Sequence, residues 1–358
     1  MEFIIQDALK NADNQEVNNI EVGQANIKVI GAGGAGNNIV SWLYKKGISG
    51  AEVVAVNTDK QHLDISSADR KLLIGRDLTR GLGCGGFIDM GRESAKESIQ
   101  ELKETLKGSD MVFVCSGMGG GTGTGSAPII AQIAKEMGAI VIGTVTMPFE
   151  IEKARVDKAE FGLQQLRQVS DTVIVIDNNR LVQIAGNLPL KQAFAVANEL
   201  LSTMIKGIVE IIAIPSLVNL DYADVRAIMT DGGVSVMGIG ESTSERRVEE
   251  SVKRALTNPL LDVDYRGATG ALIHVAGGED LLLEEIDAIG QAITEHLDPD
   301  ANVIWGARIE PGMEGRLRVM TIVTGVKSPY VLGKVDRLQE QAEKAEQMKS
   351  DFGIDIVK

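Results

Sequence analysis

Aromatic side chains and cysteines are scarce in this sequence of 358 residues. Phe, Trp and Tyr make up 4% of the chain, so its cores must be built from aliphatic side chains and methionine. The two cysteines, Cys84 and Cys115, form no CxxC pair, which excludes a disulfide framework and a thiolate zinc site. Two free thiols are typical of a reducing cytoplasm, and this is the location that we expect.

Basic residues are outnumbered, because 36 Lys and Arg face 50 Asp and Glu and the formal net charge is −14. Such a chain repels phosphate backbones and anionic lipid surfaces, so we expect no nucleic-acid partner. The most apolar long segment, residues 190–214, is interrupted by charged side chains, so we expect no direct membrane insertion. The first residues lack a basic stretch followed by an apolar run, and we expect no signal peptide.

The sequence does contain a regular alternation of apolar strand patterns and helix patterns. Residues 26–189 predict a Rossmann-like parallel sheet with helices on both faces, including one helix at about residues 89–107. Residues 190–214 predict one long central helix, apolar on nearly all sides and therefore buried. Residues 215–327 predict a smaller α/β domain with a mixed sheet. Residues 1–25 and 328–358 are expected to be a flexible extension and a linker with a tail.

The first glycine-rich loop, at residues 31–36, follows a predicted strand and precedes a helix predicted from about Asn37. Its GxGxxG spacing allows a phosphate to approach the backbone at a helix N-terminus. A binding site for NAD would require an acidic residue at the end of the second strand, whereas Asp59 comes somewhat late. From this loop alone, the bound nucleotide could be NAD or another nucleotide, and both alternatives remain open.

The second glycine-rich loop holds five glycines within residues 119–125, alternating with threonines that can donate hydrogen bonds. Two such loops on neighbouring strands predict a di- or triphosphate held from two sides. The chain has no GxxxxGK[ST] motif, and neither loop contains a lysine. The phosphate charge must therefore be met by backbone N–H groups, helix dipoles and Mg²⁺, with no direct side-chain ligand to the metal.

The second loop matches the signature of the tubulin/FtsZ superfamily, and residues 26–327 resemble its FtsZ family of prokaryotic cell-division GTPases. The resemblance implies a tubulin/FtsZ fold that binds GTP or GDP with Mg²⁺. It also implies that subunits assemble head to tail into protofilaments and a division ring at midcell, and that GTP is hydrolysed only after assembly. Membrane-anchor or division proteins would bind the C-terminal tail, for which residues 352–357 are the candidate segment.

The resemblance also assigns nucleotide contacts to individual residues. They are Gly33, Gly34, Asn37 and Asn38 in the first loop; Gly83, Cys84, Gly85 and Gly86 in a loop that senses the γ-phosphate; Gly119, Gly120, Gly121, Thr122, Gly123, Thr124 and Gly125 in the second loop; Pro148, Glu152 and Arg155 at the ribose; and Asn178, Phe194 and Asn198 at the guanine. Phe194 and Asn198 are four residues apart on the central helix and therefore share a face. The sequence departs from the family pattern at Phe87 and at Lys153, where a glycine is usual.

The segment that follows the central helix contains Asn219, Asp221 and Asp224, and it resembles the family's segment that acts on the GTP of the neighbouring subunit. From the residues alone, Asp221 is a helix N-cap and Asp224 a favourable acid in the first turn. The resemblance implies instead that these acids orient the attacking water in trans. Two alternatives remain open: a GTPase of the superfamily that controls cell shape, and an NAD-dependent oxidoreductase, which leaves the second glycine loop unexplained.

Overall fold

The computed structural model describes residues 25–214, 217–218, 221–230, 232–257, 265 and 267–326. Three predictions lie outside these residues: the role of Asn219, the N-terminal extension as far as residue 24, and the tail. Within the described residues, no helix combines the length and the apolar character needed to cross a membrane.

Ten strands and twelve α-helices occur in the described part of the chain. The strands are β1 (Ile27–Ala32), β2 (Ala51–Asn57), β3 (Arg70–Leu73), β4 (Met111–Gly117), β5 (Ile140–Met147), β6 (Thr172–Asp177), β7 (Gly233–Ser242), β8 (Gly270–Gly277), β9 (Asn302–Ile309) and β10 (Leu317–Thr324). The helices are α1 (Gly33–Lys46), α2 (Lys60–Ile65), α3 (Arg76–Thr79), α4 (Ile88–Glu97), α5 (Ile99–Leu106), α6 (Thr122–Glu136), α7 (Ala154–Val169), α8 (Asn178–Ala185), α9 (Leu190–Ala213), α10 (Tyr222–Met229), α11 (Arg247–Leu256) and α12 (Leu283–Thr294).

The first six strands form a parallel sheet in the order β3-β2-β1-β4-β5-β6. Their Val- and Ile-rich runs are buried because helices cover both faces of the sheet. Strand β7 continues this sheet through two parallel pairs with β6, and it pairs antiparallel with β10. The predicted α/β class with a mixed second sheet is therefore confirmed. Strand β7 pairs with both β6 and β10 and so joins the two sheets.

The central helix α9 has the predicted bounds, but the prediction that it is buried on nearly all sides is wrong for its first half. Leu201, Met204 and Ile208 pack in the core between the two sheets. In contrast, Lys191 and Phe194 near its start are exposed. The helix leaves the core here because its first turns run along the edge of a pocket, described below.

The single helix predicted for residues 89–107 is two helices, α4 and α5, which meet at Ser98. The buried Ser98 hydroxyl accepts a hydrogen bond from the Gly75 backbone N–H at 3.2 Å. Serine weakens a helix interior by competing for backbone partners, which is consistent with a break at this position. Helix α8 was not predicted, and α1 begins at Gly33 rather than near Asn37.

Candidate functional site

The two glycine-rich loops lie against each other and form one cradle. Strands β1 and β4 are parallel neighbours with Gly31 opposite Cys115, so the loops that follow them meet at one edge of the sheet. A Cβ atom added at Gly33 would lie 2.7 Å from the Gly123 backbone nitrogen, and Gly33 has φ 73°. Glycine is required there on both counts, because no larger residue fits the contact or favours the backbone conformation.

Both loops open directly into helix N-termini that lack side-chain caps. Helix α1 follows Ala32 and helix α6 follows Gly121, and neither N-cap residue makes a side-chain hydrogen bond. Neither first turn contains an acidic residue. The first backbone N–H groups of both helices are therefore available to an anion, and both helix dipoles favour negative charge at the same place.

A pocket of about 370 Å³ lies over this cradle. A Cβ atom added at Gly120 would meet no atom within 4 Å, and one added at Gly34 would meet only the His62 imidazole, at 3.9 Å. The space above these glycines is thus large enough for a ligand. The pocket is lined by Ala32, Gly34, Ala35, Gly117, Met118, Gly120, Gly121, Thr122, Gly123, Thr146, Pro148, Phe149, Glu152, Arg155, Asn178 and Phe194.

Two aromatic rings form the end of the pocket away from the glycines. Phe149 and Phe194 meet edge to face, with ring centroids 6.0 Å apart and an interplanar angle of 68°. Phe194 remains 40% exposed, and Asn178 lies at the same end as the first residue of α8. An exposed ring beside an amide is a suitable surface for a planar base. Phe149 was not among the predicted contacts, although its place directly after Pro148 was a signal for it.

The segment between β5 and α7 is held by its own hydrogen bonds. The Glu152 carboxylate accepts from the Phe149 backbone N–H at 3.0 Å and from the Arg155 guanidinium at 2.7 Å. Lys153 has φ 41°, a conformation that a side chain rarely adopts and glycine adopts readily. This explains why a glycine would fit better at the position where the sequence departs from the family pattern.

Several predicted contacts lie behind the pocket wall rather than on it. The buried Asn37 amide nitrogen, oriented to satisfy its partners, lies within hydrogen-bonding distance of three carbonyl oxygens, those of Gly31 at 2.7 Å, Val56 at 3.2 Å and Gly33 at 3.3 Å. Asn38 is exposed one turn after Gly34 on α1 and is not among the residues that line the pocket. The position of Asn37 therefore fixes the shape of the first loop from below.

The second loop is supported in the same way. The Thr124 hydroxyl accepts from the Gly119 N–H at 2.9 Å, and a Cβ atom at Gly125 would lie 2.2 Å from the Ile88 carbonyl oxygen. Buried Cys84 contacts the Thr58 hydroxyl at 3.4 Å. Gly83, Gly85 and Gly86 all have positive φ and lie beside the pocket without lining it, and Asn198 is a half-buried residue of α9 that does not line it either.

Asp221 and Asp224 form a reciprocal capping box at the start of α10. The Asp224 N–H donates to Asp221 Oδ1 at 2.8 Å, and the Asp221 N–H donates to Asp224 Oδ2 at 3.1 Å. The Tyr222 hydroxyl donates to the Asp110 carbonyl oxygen at 2.7 Å, directly before β4. The pocket lies beyond the other end of β4, whose seven residues span about 20 Å, so this pair cannot reach its own pocket.

Comparison with known proteins matches both halves of the chain. Residues 26–186 match the GTPase domain of the tubulin/FtsZ family, and residues 233–327 match the C-terminal domain of the FtsZ family. Cell division protein FtsZ 2 of Methanocaldococcus jannaschii is 56% identical over 334 residues, which cover 92% of this chain and 88% of the relative. FtsZ 2 of Haloferax volcanii is 50% identical over 342 residues, covering 96% and 84%.

Solved structures give the same result. An FtsZ dimer of M. jannaschii superimposes with a TM-score of 0.79 at 49% identity, covering 90% of this chain and 92% of that one. CetZ2 from Haloferax volcanii has a TM-score of 0.75 at 24% identity, covering 90% and 99%, and shares the fold. The predicted family and the predicted GTPase activity are confirmed, and the alternative of an NAD-dependent oxidoreductase is not supported. This chain belongs to the FtsZ family and is a GTPase with the tubulin/FtsZ fold.

Proposed function

We propose that the pocket binds GTP or GDP with its phosphates on the two glycine loops and its base against the Phe149–Phe194 pair and beside Asn178. The carrying observation is that two uncapped helix N-termini meet at one end of the pocket. Arg155 is the cation among the residues that line the pocket, and it is proposed to contact the ribose. Its pairing with Glu152 leaves that carboxylate occupied.

Mg²⁺ fits this site as a partner of the phosphates. Glu152 is the carboxylate among the lining residues, and it already accepts two hydrogen bonds within its own segment. Phosphate oxygens and water would therefore complete the coordination of Mg²⁺, which commonly retains several waters. The ion would neutralise charge that the loops meet with backbone dipoles alone.

GTP is hydrolysed where two subunits meet head to tail, with Asp221 and Asp224 of one subunit facing the nucleotide of the next. The support is the placement of these acids at the opposite end of β4 from the pocket. Asn219, which precedes them, is proposed to act with them. Phosphoryl transfer depends mainly on positioning and electrostatics, so the missing group can be supplied by a second molecule.

The rim of the pocket supports such a contact. Leu82, Phe87 and Ile151 are 82%, 67% and 85% exposed, and all three belong to segments that border the phosphate or ribose end. Clustered exposed apolar side chains are typical of interaction sites. A contact between two different surfaces that does not close into a ring generates a filament.

The cellular role that we propose is cell division, with assembly at midcell in the cytoplasm. Relatives that are at least half identical to this chain are named as cell division proteins. The CetZ structures share the fold but are only 21–26% identical, so the relatives named for cell division carry more weight in this proposal. We further propose domain boundaries at residues 26–189, 190–214 and 215–327. The tail, with residues 352–357, would bind membrane-anchor or division proteins.

The test is GTP turnover per subunit against protein concentration, with Mg²⁺ present and light scattering recorded in parallel. We expect turnover near zero at low concentration and a rise that follows scattering. Asp224→Asn retains an oxygen that can accept the Asp221 N–H but loses the charge, so it should abolish turnover and leave GTP binding intact. Asp300→Asn removes a charge from an exposed residue and serves as control. Turnover per subunit that is independent of concentration would place the complete site in one chain, and turnover that persists in Asp224→Asn would refute the role of Asp224.

A further inference from the structure

Helix α7 packs along the second glycine loop through two close contacts. A Cβ atom added at Gly119 would lie 2.8 Å from the Arg155 carbonyl oxygen, and one added at Gly162 would lie 2.3 Å from Thr124 Cγ2. Lys158 lies between Arg155 and Gly162, about one turn from each, and so it occupies the stretch of α7 nearest to this loop. Its side chain therefore starts close to the phosphate end of the pocket.

The half-buried Lys158 ammonium group donates to the Gly86 carbonyl oxygen at 2.9 Å, across 72 residues of sequence. Gly86 ends a segment, residues 81–86, in which four glycines have positive φ. A Cβ atom added at Gly86 would meet no atom within 4 Å. Lys158 is thus the point at which α7 holds a segment whose backbone can easily change conformation.

The same segment lies directly against the phosphate cradle. A Cβ atom added at Gly121 would lie 2.8 Å from Cys84 Cβ and 3.0 Å from the Phe87 backbone nitrogen. Gly120 and Gly121 line the pocket beside it. The Gly86 carbonyl and the ammonium group bound to it therefore lie next to the phosphate cradle, beside the lining residues Gly120 and Gly121 rather than among them.

A carbonyl is a neutral acceptor, so the hydrogen bond to Gly86 does not neutralise the ammonium charge. An ammonium group has three donors and can bind an anion while it keeps this bond. We infer that Lys158 recognises the terminal phosphate of a nucleoside triphosphate and clamps residues 81–86 against it. A diphosphate lacks the group that the remaining donors would bind. This inference rests on the proposed placement of the nucleotide.

The test compares dissociation constants for GTPγS and GDP, measured with Mg²⁺ at protein concentrations below the onset of light scattering. Lys158→Met should weaken GTPγS about tenfold, as expected for a lost charge-assisted hydrogen bond, and change GDP by less than about twofold. Lys158→Arg should restore most of the preference, because the charge is kept. Lys103→Met, which removes the same charge from an exposed helix position of the same domain, should change neither constant.

Lys158→Gln separates charge from tethering, since its amide can still donate to a carbonyl. If Gln preserves the preference for GTPγS, or if Met weakens both nucleotides equally, Lys158 has only a structural role and the inference is wrong. It is also wrong if no variant changes the ratio. A wild-type protein that binds neither nucleotide would overturn the proposed function instead, so the two failures are distinguishable.

Discussion

A site shared between subunits makes a quantitative prediction for mixtures of two inactive variants. The first variant, Asp224→Asn, has an intact pocket and lacks the acid. The second, Gly120→Glu, has intact acids and a blocked pocket. Gly120 lines the pocket and a Cβ atom added there would meet no atom within 4 Å, so Gly120→Glu should introduce a carboxylate into the pocket. Gly120→Ala adds a methyl group in the same space and is the matched control.

The size of the block follows from the charges. A carboxylate about 4 Å from a phosphate, at the effective dielectric constant of a protein surface, costs about 4 kcal/mol per pair of unit charges. That cost lowers nucleotide affinity by about a thousandfold. Each variant alone should therefore be inactive, the first through its missing acid and the second through its empty pocket.

In a random copolymer of equal amounts, an interface is active when it joins an intact pocket to intact acids. This combination occurs at about one quarter of head-to-tail contacts, so the mixture should reach at most about a quarter of wild-type turnover. If each chain held a complete site, the mixture would stay inactive. The assay is phosphate release at constant total protein while the mixing ratio is varied.

Turnover should peak at equal amounts of the two variants and vanish at both ends of the series. Light scattering or co-sedimentation of a labelled variant must show that both chains enter the polymer. A copolymer with no turnover at any ratio would refute the shared site. Turnover by Gly120→Glu alone would refute the assignment of the second loop to the phosphates.

Two further predictions concern the base and the second sheet. Phe194→Ala should weaken GDP binding about fivefold to 150-fold, because base stacking on an aromatic ring contributes about 1–3 kcal/mol. Unchanged affinity in calorimetry would place the base elsewhere. Burial, followed by the charges of Arg308 and Arg318, lowers the pKa of His274 to about 4. The unfolded chain therefore binds a proton at His274 more readily than the folded chain does. The free energy of unfolding should fall by about 2 kcal/mol between pH 7.5 and pH 5. Urea unfolding at both pH values should show that His274→Gln loses this component of the pH dependence.

Strands β1, β2, β4, β5 and β6 were predictable because each is a short apolar run, and a parallel sheet buries both faces of such runs. Helix α9 was predictable from its length and apolar content, although its exposed first turns were not. Their exposure depends on the pocket beside Phe194, which exists only after the chain has folded. The break at Ser98 depends likewise on Gly75, a partner 23 residues away.

The meeting of the two glycine loops could be predicted because each follows a strand of one parallel sheet, whereas their contact with phosphate stays a prediction. Phe149 and Lys158 could not be predicted with the same certainty. Their contacts, with Phe194 and with Gly86, join segments that are distant in the sequence. Asn37 shows the reverse case, since its position in the loop predicted a ligand contact and the structure places its amide beneath the loop.

The capping box of Asp221 and Asp224 is compatible with the proposed role in trans. Each carboxylate gives one oxygen to the backbone N–H of the other residue, which fixes both side-chain rotamers at the start of α10. The second oxygen of each carboxylate is not used by the capping box. Catalytic groups act best when their supporting bonds hold them in place before the reaction, so the cap can serve to orient the acids toward a neighbour. In each side chain, one carboxylate oxygen then caps the helix while the other is available for the proposed role in trans.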